Sequence, residues 1–244
     1  MVPEKQINDF IDRLRQAAGE NLQSVVLYGS AASGEFHPDF SNVNLLVTLR
    51  ETSFVSLAAI APVVEKWAAQ KHHPPLVLTR HELERSADVF SIEMLDMQQR
   101  HRVLFGDDPL ANLQIPMHLH RAQLEYELRE KAILLRERFL LEASQPRHLW
   151  DLLLASLPAL ATLFRHTLIA LGEPAARSKR EAIQALSTRI SLDPSAFLQV
   201  LEIREGKAER GKFDVNDVFG RYLAGVQQVT EAVDKMLDST GPGI

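Results

Sequence analysis

Residues 24–47 read SVVLYGSAASGEFHPDFSNVNLLV, and the fold is decided in this stretch. SVVLY is a short β-branched apolar run halted by Gly29. A polar loop of 11 residues, AASGEFHPDFS at 31–41, follows it, and a second apolar run, VNLLVTL, occupies 43–49. Short apolar runs bounded by turn formers predict buried strands, here two neighbours in one sheet.

Upstream, EKQINDFIDRLRQAAGE places Ile7, Phe10, Ile11 and Leu14 at i, i+3, i+4 and i+7, the spacing of a helix with one buried stripe that Gly19 ends. Downstream, SFVSLAAIAPVVEKWAAQK predicts a helix that Pro62 kinks or splits, because proline removes a backbone donor and clashes with the preceding turn. LVLT at 76–79 predicts a further strand. Thr79 with Glu82 three residues on predicts a capping box opening a short helix, and VFSIEMLDM at 89–97 alternates as a strand does.

Periodicity stops at FGDDPLANLQIP, residues 105–116, where glycine, paired aspartates and prolines read as a linker. Beyond it, helical patterns occupy about 118–143, 147–172, 178–190, 195–206 and 214–238. The expected organisation is a first domain at 1–105, a linker at 106–116, a helical domain at 117–238 and a flexible tail at 239–244.

The 244 residues contain 45% hydrophobic residues and no cysteine, which excludes disulfides and thiolate metal sites and fits a reducing, cytoplasmic setting. The N-terminal MVPEKQINDF lacks the apolar core of a signal peptide. No stretch reads as the roughly 20 apolar residues of a membrane span, so no membrane association is expected. Residues 1–116 contain 10 Lys+Arg against 15 Asp+Glu and the remainder 17 against 17, so neither half presents a basic nucleic-acid surface.

The layout of strand, Gly29-Ser30 turn, 11-residue loop and Asn42-Val43-Asn44 strand entry resembles the nucleotidyltransferase superfamily, that of the polymerase beta-like and aminoglycoside nucleotidyltransferases. The resemblance covers about residues 20–105. It implies an α+β or α/β domain, with a small mixed sheet and flanking helices, ahead of an all-helical bundle. It also implies that Gly29 and Ser30 hold a phosphate, since glycine admits close backbone approach and the serine hydroxyl binds oxygen. In the family two carboxylates at i and i+2 grip the metal ions that clamp the triphosphate. Here Asn42 and Asn44 stand in their place, with neither negative charge, and LVLT lacks the third acid that the family often supplies.

The resemblance therefore implies a catalytically degenerate nucleotidyltransferase-like protein, a pseudoenzyme serving as a nucleotide- or phosphate-binding or regulatory module with no metal site. Two alternatives remain open. One is an active enzyme moving a nucleoside monophosphate from an NTP to a small-molecule hydroxyl, with Mg²⁺ held by substitute acids among Glu35, Asp39, Glu93 and Asp96. The other is an antitoxin-like or structural interaction protein, with a protein partner or a second copy. The expected ligand is a nucleotide or another small molecule, and no nucleic acid.

Histidines form no chelating pattern. His118 and His120 diverge on a helix, and His72-His73 reads as a solvated turn. By analogy with the aminoglycoside enzymes, Glu125 or Glu130 of the first long helix would face an acceptor. The adjacent pairs Arg147-His148 and Arg165-His166 lack the spacing of a helical HEPN ribonuclease.

Overall fold

The structure, a computed structural model, describes residues 2–33 and 42–239. It divides into two compact units, Met1–Pro116 and Met117–Ile244.

The first unit runs α1 (Glu4–Ala18), β1 (Leu22–Tyr28), α2 (Ser30–Ser33), β2 (Asn44–Leu49), α3 (Phe54–Ala68), β3 (Leu76–Thr79), α4 (Arg80–Ser86), α5 (Ser91–Gln99) and β4 (His101–Gly106). The strands form one mixed sheet in the order β3-β2-β1-β4. β1 pairs antiparallel with β2 and with β4, and β2 pairs parallel with β3.

Both faces of the two central strands are buried, which is why their sequences are mostly apolar on both faces. Val25, Leu27, Leu45, Val47 and Leu49 meet Ile7, Phe10, Ile11 and Leu14 of α1 and Ile60 and Trp67 of α3. On the opposite face Val26 and Leu46 meet Leu83 of α4, Met94 and Met97 of α5, and Leu110 and Leu113. The stretch 106–116, expected as a linker, thus places two leucines in the core of this unit. The Gln98 amide fixes it further by donating to the carbonyls of Leu110 and Leu113 at 3.0 and 2.9 Å.

Several sequence expectations meet a different structure. Residues 91–97 of the expected strand 89–97 are helical in the nine-residue α5: Met, Leu, Glu and Gln favour helix, and over that length their preference outweighs an alternating pattern. The missing strand is β4, which ends where the break was expected to begin. It is an edge strand of mostly half-buried residues, and only Val103, Leu104 and Phe105 of it are apolar. Gly106 ends it at φ 73°, where a β-carbon would fall 1.9 Å from the Gln23 carbonyl oxygen. α3 is one continuous helix through Pro62, whose side is exposed. The capping box at Thr79 and Glu82 forms as its spacing predicts.

The second unit contains α6 (Met117–Glu142), α7 (Pro146–Ala170), α8 (Lys179–Ile190), α9 (Ser195–Arg204) and α10 (Val215–Ser239). Contrary to the expectation that no segment reaches the length of a membrane span, α7 is long and apolar enough to cross one, with a mean hydropathy of 1.5. Its place in the bundle accounts for that composition. α7 packs against α6, α8, α9 and α10, and Leu149, Leu153, Leu157, Leu160 and Phe164 have no exposed surface. Phe197 of α9 lies between Phe164 and Tyr222, with ring centroids 4.9 and 4.5 Å away.

Candidate functional site

β1 ends at Tyr28 and the chain turns at Gly29, whose φ of 74° lies in the left-handed region that glycine adopts without strain. Ser30 opens the short α2, and the Ala32 amide donates to the Gly29 carbonyl at 3.0 Å to close the turn. β2 returns beside this turn with Asn44 opposite Tyr28. Asn42 is exposed and Asn44 half-buried. A β-carbon built on Gly29 would lie 3.1 Å from Asn44 Nδ2, so the amide end of Asn44 is directed at the turn. Gly29, Ser30 and Asn44, expected as site residues from sequence, thus stand together.

Glu35 and Asp39 lie outside the described residues. Glu93 and Asp96 are one turn apart on α5, the helix whose Met94 and Met97 pack on the same sheet face as Leu46. Glu93 is exposed and Asp96 half-buried. Among the described residues no three His, Asp or Glu side chains converge as a metal ion requires. β3 adds Leu76, Val77, Leu78 and Thr79, and no acid. Mg²⁺ is held by carboxylates together with substrate phosphates. Two neutral amides, Asn42 ahead of β2 and Asn44 at its first residue, do not fit that ion.

Sequence reasoning missed the neighbours of Asn44, because they are brought together by register alone. Tyr28 pairs with Asn44 on one side and with His101 of β4 on the other, so all three share one sheet face. Burial pushes the Tyr28 phenol above its ordinary value. His101 lies between two acceptors, the Gln98 carbonyl 3.1 Å from Nδ1 and the Asp108 carboxylate 3.0 Å from Nε2. The row Asn44, Tyr28, His101 lines the sheet end beside Gly29, and among the described residues of that row no carboxylate is free, since Asp108 is engaged by His101 and the Leu110 amide.

Elsewhere, His72 is not in a solvated turn. It stacks on Trp67 with centroids 3.9 Å apart and bonds Gln6 at 2.8 Å, and burial lowers its pKa. In the second unit Glu125 is taken by Arg129 and Glu130 by Lys131, each at 2.5 Å. His118 is exposed, whereas His120 is fully buried with Nε2 2.8 Å from Nδ1 of buried His166. No sequence spacing announces that pair, which lies 46 residues apart.

Set beside known proteins, residues 7–97 match the model of the nucleotidyltransferase domain. No curated protein matches the chain by sequence. The crystal structure of spectinomycin adenyltransferase AAD(9) from Enterococcus faecialis, with ATP and spectinomycin, aligns at a TM-score of 0.54 and 16% identity, covering 93% of this chain and 98% of that one. At this identity the likeness is one of fold, and it extends over both units.

Proposed function

We propose, from the premise that residues 7–97 place this chain in the nucleotidyltransferase superfamily, that its first unit binds a nucleotide without catalysing metal-dependent transfer. The observation that carries this reading is the pair Asn42 and Asn44 at the entry of β2, beside a glycine turn of the phosphate-binding kind. The turn retains the means to approach a phosphate closely, through Gly29 and the backbone and hydroxyl of Ser30. The strand lacks the charges that would hold two cations against it.

Electrostatics favour binding over turnover. A carboxylate about 4.5 Å from a phosphate oxygen, with no cation between them, is repelled by roughly 4 kcal/mol at an effective dielectric near 20. Family members offset this with metal ions. With amides the repulsion is absent, and so is the clamp that stabilises attacking and leaving oxygens. The similar adenyltransferase structure contains ATP and spectinomycin, which supports a nucleotide as the first ligand to try. The protein then acts as a regulatory module whose occupancy reports nucleotide level.

The test is calorimetric titration of the full chain with ATP and with GTP, alongside a pyrophosphate-release assay in Mg²⁺ with aminoglycoside and aminocyclitol acceptors. Binding without release is the expected result. Mg²⁺-dependent release above background by the unmodified protein would overturn the catalytically silent reading.

A further inference from the structure

We infer that the nucleotide site takes its ligand free of divalent cation, with the amides of Asn42 and Asn44 donating directly to phosphate oxygens. This rests on the nucleotide-binding reading above. An asparagine amide offers two N–H donors where a carboxylate offers none. Asn44 Nδ2 lies 3.1 Å from the position a Gly29 β-carbon would occupy, so its donor end stands beside the turn.

The surroundings of Asn44 are consistent with this choice. Tyr28, opposite it in the ladder, carries a phenol hydroxyl, which burial pushes further above its ordinary value. Asp108, which meets His101 at the end of that row, is engaged by His101 and the Leu110 amide. Asn44 and Tyr28 therefore present donors to an anion, and among the described residues the row Asn44, Tyr28, His101 presents no free carboxylate to a cation. The ligand class that follows is an uncomplexed nucleoside polyphosphate, and excess Mg²⁺ competes with the protein for it. Substituting aspartates reverses the preference, because two carboxylates then repel the bare phosphate and need metal.

The experiment measures ATP binding to the full chain in EDTA and in excess Mg²⁺, for the unmodified protein, for Asn42→Asp and for Asn42→Asp with Asn44→Asp. The unmodified protein is expected to bind in EDTA and to weaken roughly tenfold in excess Mg²⁺. The double variant is expected to lose roughly a hundredfold in EDTA and to recover when Mg²⁺ is added. Thermal melting verifies that the variants fold. Exposed Asn42 tolerates aspartate if position 44 does not, and the comparison on the unmodified protein needs no variant. Binding of ATP only in Mg²⁺ overturns cation-free recognition and leaves nucleotide binding intact. Binding of neither ATP nor GTP in either buffer overturns both.

Discussion

Gly29 and Asn44 stand so close that any side chain at position 29 would press on the amide: a β-carbon there would lie 3.1 Å from Asn44 Nδ2. The φ of 74° adds a second penalty, since L residues in the left-handed region are strained by roughly 1–2 kcal/mol. Gly29→Ala is therefore expected to lower stability by about that amount and to displace Asn44 by a few tenths of an ångström. Urea denaturation reads the first effect and ATP calorimetry the second. A folded Gly29→Ala protein with unchanged ATP affinity would show that this contact does not shape the site.

The same sheet hides a polar pair in its core. Ser24 and Thr48 are both fully buried, and their hydroxyl oxygens are 2.5 Å apart across the β1–β2 ladder. Thr48→Val removes one partner and leaves the other hydroxyl in an apolar layer, which costs roughly 1–3 kcal/mol. Ser24→Ala together with Thr48→Val removes both. The double variant is expected to be more stable than the sum of the single losses allows, a coupling of about 1 kcal/mol in a double-mutant cycle. Strict additivity would mean the two hydroxyls do not depend on each other.

In the helical unit His120 and His166 pose the same problem with rings. Neither is exposed, and the bond between Nε2 of one and Nδ1 of the other is 2.8 Å. Replacing His166 by leucine deprives His120 of that bond in a place water does not reach, and is expected to lower stability by roughly 1–3 kcal/mol. His166→Leu with His120→Leu should recover part of the loss. Urea melts of His166→Leu, His120→Leu and the double variant decide it, and a double variant less stable than either single one would contradict the account.

What the sequence revealed and concealed follows from how each signal arises. Ile7, Phe10, Ile11 and Leu14 repeat with the helical period and are all buried, so α1 was readable from spacing. β1 and β2 were readable because burial on both faces forces a mostly apolar run. α5 was not, since its alternating residues also fit a helix that packs through Met94 and Met97. β4 escaped because an edge strand needs few apolar residues. At the site, Gly29, Ser30, Asn42 and Asn44 were visible through their order along the chain. Tyr28 and His101 were not, for only the register of β1 with its two neighbours sets them beside Asn44.

Asp108 provides a pH-dependent test of how the segment after β4 is held. Burial pushes its carboxyl up, but the Leu110 amide, the His101 ring and the Ala111 amide together hold it below the ordinary value. A carboxyl depressed in the folded state contributes stability above its unfolded pKa, about 3.9, and loses it as pH falls through the lower folded value. Asp108→Asn retains an acceptor for Leu110 but loses the charge that faces His101, and is expected to cost about 1 kcal/mol at neutral pH. The gap between Asp108→Asn and the unmodified protein should hold down to about pH 5 and then close as pH drops toward about 3. Urea melts of both proteins across that window measure it. A gap that stays constant between about pH 5 and about pH 3 would mean that protonating Asp108 does not release the clamp, and that Leu110 and Leu113 alone hold the segment through burial.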